Sequence, residues 1–121
     1  MSKLEEIQKS IQQLRAAVPE LRGVLLASAD GLPVAHSLTD GADPQRFAAM
    51  AAAASGLGRK VGESLGIGTL SEVTIGGSDG QVFVYAAGPK AVLAVITSGN
   101  GNTGLIHLEA RATVRTIAET L

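Results

Sequence analysis

The chain has 121 residues, ten basic and eleven acidic side chains, a formal net charge of -1 and no cysteine. This length predicts one domain, 1–121, and the lack of cysteine excludes disulfides, thiol nucleophiles and cysteine-ligated zinc. Nucleic-acid binding is not supported, because the charges are not clustered and only Phe47, Phe83 and Tyr85 could stack on bases.

The sequence contains no segment that predicts membrane insertion. Its longest strictly apolar run, from Phe47 to Ala54, is far shorter than the roughly 18 residues that a spanning helix needs. The first residues, Met-Ser-Lys-Leu-Glu-Glu, lack the apolar core of a signal peptide. We therefore expect a soluble, cytoplasmic protein.

The first part of the chain predicts a helix and then a β-hairpin. Ser2 and Glu5 have the spacing of a capping box, and the helix behind them should end before Pro19. Its apolar residues recur at helical spacing: Leu4, Ile7, Ile11, Leu14 and Val18. Two short apolar runs, 23–28 and 32–37, flank an Asp-Gly pair and predict two antiparallel strands.

A long helix is predicted next, with Asp43 as its cap and Pro44 at its first position. Gly66 and Gly68 should end it. One apolar stripe, which we expect to bury on the chain's own core, consists of Phe47, Ala51, Ala54, Gly58, Val61 and Leu65. A second row beside it consists of Met50, Ala53, Leu57 and Ser64.

The remaining face of this helix also carries mostly small residues: Ala49, Ala52, Gly56 and Arg59. A helix that is apolar or small nearly all round needs neighbours on two sides. A chain of this length has too little protein to cover both sides, so we expect the second neighbour to be another chain. The pattern predicts an association module.

The rest of the chain predicts three strands, 70–75, 81–87 and 91–97, and a last helix, 104–121. The order is therefore αββαβββα, an α+β domain with a five-stranded antiparallel sheet and helices on both faces. The runs 24–26 and 91–96 are apolar throughout and should be central. The strand 70–75 alternates and should be an outer strand with an unpaired edge.

Two glycine-rich segments match patterns found in enzymes, but their context favours other interpretations. Segment 99–104 has the glycine spacing of a dinucleotide-binding turn, yet no second strand follows its helix. We interpret it as a capping loop, with a bound anion at the helix start as the alternative. Segment 76–80 resembles a serine-hydrolase elbow but leads into a strand, which favours a hairpin turn.

The charged and titratable residues give no catalytic or metal-binding pattern. His36 and His107 have no partner at metal-ligand spacing, and we expect both on the surface. Arg111 and Arg115, with Glu119, are read as helix-surface charges. Four charges on the long helix fit either a solvated rim or a partner-binding surface: Arg46, Arg59, Lys60 and Glu63.

Taken in order, these segments resemble the roadblock, or dynein light chain 7, family. The resemblance is carried by the strand, Asp-Gly turn and strand of 23–35, the Ala-rich helix, and segments 70–85 and 91–97. It implies a five-stranded sheet between one helix and a pair, and a homodimer with a continuous ten-stranded sheet. The central helix and third strand would supply the interface residues Met50, Ala53, Leu57, Val73 and Ile75.

The resemblance also implies a function. Bacterial and archaeal members are partners of small Ras-like GTPases, so the chain is expected to be a homodimeric GTPase regulator that needs no cofactor and is not itself an enzyme. Such a dimer would bias the switch loops of the GTPase, and Arg46 or Arg59 could contribute charge in trans. The alternatives are a non-catalytic scaffold subunit and a small-ligand sensor of similar layout.

Overall fold

The computed structural model of the chain describes residues 1–39, 41–99 and 101–121. Its elements follow the predicted order αββαβββα. The helices are α1 (Lys3–Ala17), α2 (Pro44–Ser64) and α3 (Thr103–Thr120). The strands are β1 (Leu21–Ser28), β2 (Pro33–Leu38), β3 (Glu72–Gly77), β4 (Gly80–Ala86) and β5 (Ala91–Ser98).

The five strands form one antiparallel sheet in the order β2-β1-β5-β4-β3. The apolar strands β1 and β5 lie inside the sheet and β3 lies at an edge, as predicted. The predicted bounds of β3 were two residues too early, since it runs from Glu72 to Gly77 instead of from 70 to 75. Gly77 pairs with Gly80, so only Ser78 and Asp79 form the turn, and segment 76–80 is the expected hairpin.

Helices cover both faces of the sheet. The larger core joins α1 and α3 to one face, with Ile11, Leu26, Phe83, Leu93 and Ile106 among its fully buried members. The smaller core joins α2 to the other face through Leu25, Ala27, Ala48, Ala51, Val84, Val92 and Ala94. Mostly small residues line this second core, and α2 packs close to the strands as a result.

The helix ends have the predicted caps. The backbone N–H of Glu5 donates to Ser2 Oγ at 3.1 Å, and the Asp43 side chain accepts from two amides of the first turn of α2. Gly66, with φ +66°, ends α2 in the left-handed conformation that glycine adopts without strain. In the loop 99–104, Asn102 caps α3; Asn100 lies outside the described residues.

The predicted buried stripe of α2 is correct only over its first part. Ala51 is buried and Gly58 is half-buried, but Val61 and Leu65 are 44% and 71% exposed. The reason is where the helix crosses the sheet. Gly58 already lies over the edge strand, because a Cβ built on it would be 2.8 Å from Val73 Cγ2. Residues beyond Gly58 have no further strand of this chain beneath them.

Candidate protein-interaction surface

Strand β3 presents unpaired backbone groups along its outer edge. The N–H of Ala86 donates to the carbonyl of Ser71 at 3.0 Å, which fixes which backbone groups point toward β4. By the alternation of an antiparallel ladder, Glu72, Thr74 and Gly76 direct their N–H and C=O groups away from the sheet. Such an edge is a template for another strand.

The opposite edge, strand β2, is less accessible to another strand. Gln8 of α1 donates through Nε2 to the carbonyl of His36 at 3.1 Å, so a side chain of the same chain occupies this backbone acceptor. Pro33, the first residue of β2, has no N–H to donate. Of the two edges, β3 is therefore the one suited to pairing.

Beside the β3 edge lies a row of apolar side chains that α2 leaves only partly covered. Ile75, Val82 and Ile96 are paired across three strands, and they share the α2 face with Val84 and Ala94. Ile75 is 49% exposed, and the other two are half-buried. We call these three residues the uncovered row; they line a groove of about 380 Å³ that opens at the end of the sheet.

The flank of α2 carries further exposed apolar residues. Met50, Leu57, Val61 and Leu65 are all exposed, and their spacing places them on one side of the helix. Of the five predicted interface residues, Met50, Ala53 and Leu57 lie on this flank and Ile75 lies in the uncovered row. Val73 is half-buried against α2 and links the two regions. Large apolar side chains exposed side by side are typical of an interaction site.

The four charged candidates do not form one patch. Arg59 and Glu63 line a groove of about 470 Å³ at the C-terminal end of α2. Lys60 is exposed on the same two turns. Arg46 lies in the first turn of α2, 13 residues before Arg59, which is about 20 Å along the helix axis. Among the described residues, none of the four makes an ion pair.

The structure corrects the interpretation of His107, which was expected on the surface without acidic neighbours. Its side chain is only 20% exposed, and its Nδ1 lies 2.8 Å from Tyr85 Oη and 3.4 Å from Glu72 Oε2. The ring packs edge-on against Phe83, with centroids 4.8 Å apart. Arg111 is also no isolated surface charge, since its Nη2 lies 2.5 Å from Glu72 Oε1.

This cluster joins α3 to the first residue of the open edge strand. His107 and Arg111 are four residues apart on α3, while Glu72 and Tyr85 are direct partners on β3 and β4. Sequence reasoning missed the cluster because its members are far apart along the chain; the helical spacing of His107 and Arg111 was the one available signal. The cluster holds the beginning of β3 in place.

The cluster has a spectroscopic consequence. Burial raises the pKa of Tyr85, the Glu72 carboxylate raises it further, and Arg111 partly opposes them. Tyr85 is the single tyrosine and the chain has no tryptophan, so phenolate absorbance at high pH reports this residue alone. We expect no phenolate signal from the folded protein near pH 10, where tyrosine in urea should titrate.

The same shift makes folding stability fall as pH rises above about 10, because the unfolded chain then loses a proton that the folded chain retains. In the Tyr85→Phe variant this part of the fall in stability should be absent. The free energy of unfolding, measured with urea at pH 9 and at pH 11 for both proteins, gives the difference. Normal ionisation of Tyr85 in the folded protein near pH 10 would contradict the buried cluster.

Within the described ranges, no group of three or more His, Cys, Asp or Glu residues is arranged to hold a metal ion. None of the helices described there is long and apolar enough to cross a bilayer.

Comparisons with known proteins agree with this architecture. The model of the Roadblock/LC7 domain matches residues 7–97. Two uncharacterized proteins of Methanocaldococcus jannaschii are each 33% identical over 88 residues, which is 73% of this chain and 76% of theirs.

Solved structures give the same result. A Roadblock/LC7 domain from Streptomyces avermitilis is similar with a TM-score of 0.87 and 25% identity, covering 93% of this chain and 94% of that one. MglB of Myxococcus xanthus has the same fold with a TM-score of 0.89 and 16% identity, covering 96% of this chain and 87% of its own. The chain therefore belongs to the Roadblock/LC7 domain family.

Proposed function

We propose that this chain is a homodimeric regulator of a small Ras-like GTPase. The observation that carries the proposal is the open β3 edge, which lies beside the uncovered row and the apolar flank of α2. Membership of the Roadblock/LC7 family supports the choice of partner, because the resemblance of the sequence to that family implies a Ras-like GTPase as the partner.

A second copy of the chain fits this surface better than an unrelated partner does. Antiparallel pairing of β3 with itself is symmetric, so each unpaired N–H and C=O on one copy meets its complement on the other. The ten-stranded sheet formed in this way would end at two β2 edges, where Gln8 already occupies the carbonyl of His36. Association should therefore stop at the dimer.

The proposed GTPase-binding residues are four charges of α2, and by helical spacing Arg46 borders the apolar flank next to Met50. Arg59 and Glu63 border the groove at the end of the helix, Lys60 is exposed beside them, and Arg46 lies near the start. Side chains of both signs suit the mixed charges of a protein surface better than they suit a nucleotide alone. Binding would shift the positions of the switch loops, and the chemistry of hydrolysis would remain that of the GTPase.

The test is phosphate release from a GTP-loaded Ras-like GTPase of the same organism, with and without the purified chain. We expect the rate to change with the wild-type chain and the change to diminish in the variants Arg59→Ala and Arg46→Ala. The variant Arg15→Ala is a control, since Arg15 lies on α1, on the other side of the sheet, and bonds to Ser37. Binding without any change in rate would support a scaffold instead.

A further inference from the structure

We infer that the second copy pairs with β3 in one particular register, with Thr74 of each copy opposite Thr74 of the other. This inference deepens the proposed homodimer and rests on it. It follows from the direction of the backbone groups, from the side chains on each face, and from the place where α2 passes beyond the sheet.

Symmetry limits the possible registers. Two identical antiparallel strands are related by a two-fold axis perpendicular to the sheet, which keeps α2 of both copies on the same face. Two residues that lie directly opposite each other across the junction must then point their side chains to the same side of the sheet. Odd-numbered residues therefore pair with odd-numbered ones, and even-numbered residues with even-numbered ones. The axis therefore passes midway between the two copies of one residue, which lie opposite each other. Val73, Thr74 and Ile75 are the central candidates for this residue in β3.

Backbone hydrogen bonding favours Thr74. In this register Thr74 meets Thr74 and Glu72 meets Gly76, so every outward-facing residue of both strands has a hydrogen-bonding partner. If Ile75 were the central residue, Glu72 would lie opposite Ser78, which is in the turn. If Val73 were the central residue, Gly76 would lie opposite Leu70, which precedes the strand. Either shift loses pairs at the ends of the strand.

The side chains favour the same register. On the α2 face, Val73 of each copy would lie opposite Ile75 of the other, so two apolar pairs form across the junction. On the other face the Thr74 side chains would be neighbours. Glu72 would face Gly76, which has no side chain, so its contact with Arg111 would be undisturbed.

The overhang of α2 provides an independent argument. This helix covers a row of side chains that crosses the sheet and consists of Leu25, Ala94, Val84 and Val73. The residues of α2 beyond Gly58 extend past the edge of the sheet. In the Thr74 register that row continues directly into the uncovered row of the other copy. Val61 and Leu65, which lie exposed on the overhang, would then cover Ile75, Val82 and Ile96 of the other copy. One register thus accounts for both sets of exposed apolar side chains.

Single-cysteine crosslinking tests the register, because the chain contains no cysteine of its own. Directly opposite residues in an antiparallel pair have Cα atoms about 4.5–5.5 Å apart, within disulfide range, whereas a two-residue offset places them about 8 Å apart. The variants Thr74→Cys, Ile75→Cys and Val73→Cys should be oxidised under identical conditions. We expect Thr74→Cys to form the disulfide-linked dimer at least about tenfold faster than the other two.

The other outcomes are distinct. Fastest crosslinking of Ile75→Cys or Val73→Cys would overturn the Thr74 register in favour of a shifted one. If no variant crosslinks while the unmodified chain sediments as a dimer and alters GTP hydrolysis, strand pairing through β3 is wrong and the proposed function stands. If the unmodified chain sediments as single chains, the homodimer itself is wrong.

Discussion

Replacing Leu57 with aspartate should convert the proposed dimer into single chains that remain folded. Leu57 is 66% exposed in the isolated chain, so a carboxylate is tolerated there before association. In the dimer the same position would be covered by apolar groups, and an unpaired buried carboxylate costs several kcal/mol. At about 1.4 kcal/mol per factor of ten, the dimer dissociation constant should rise at least 100-fold. Sedimentation velocity at micromolar concentration measures this change.

Leu108 provides a matched control for this substitution. It is 64% exposed and also lies on a helix, but it belongs to α3, on the opposite face of the sheet. Leu108→Asp therefore introduces the same charge at the same exposure, away from the proposed interface, and should leave the dimer intact. If Leu57→Asp sediments as a dimer just as Leu108→Asp does, α2 is not the helix that associates.

The parts of the fold predicted correctly from the sequence are those that local chemistry determines. Asp43 and Pro44 define the start of α2, Gly66 ends it, and short turns join neighbouring strands. The central positions of β1 and β5 were also predictable, because a strand buried on both faces must be apolar throughout.

The errors concern features that depend on which elements become neighbours. The exposure of Val61 and Leu65 follows from the strand order, since α2 passes beyond the sheet after crossing β3. Helical periodicity identifies an apolar stripe but cannot show how far the sheet extends beneath it. The bonds of His107 likewise depend on β3 and β4 being placed under α3.

The candidate site was only partly predictable for the same reason. Surplus apolar surface on α2 was visible in the sequence, because small or apolar residues occupy nearly all sides of the helix between Phe47 and Leu57. The sequence did not show that the β2 and β3 edges of the sheet differ in their accessibility to another strand. Gln8 lies 28 residues before His36, and nothing in the spacing indicates that its side chain reaches the β2 backbone.

Replacing Gly58 with alanine should destabilise the chain by about 1–2 kcal/mol, although alanine favours a helix. The added Cβ would lie 2.8 Å from Val73 Cγ2, closer than such atoms approach in folded proteins. It would also lie 3.1 Å from both methyl carbons of Leu70, which would have to move by a few tenths of an ångström. The branched Val73 side chain has little rotamer freedom, so α2 and the edge strand must move apart. Urea unfolding at a fixed protein concentration measures the change.

Gly56 is the matched control, two residues earlier on the same helix, where an added Cβ meets nothing within 4 Å. Gly56→Ala should stabilise the chain by about 0.5–1 kcal/mol through helix propensity alone. The two glycine substitutions should therefore have opposite signs. If Gly58→Ala were as stable as Gly56→Ala, α2 would not contact β3 closely, and its last two turns would not be positioned to cover a second copy.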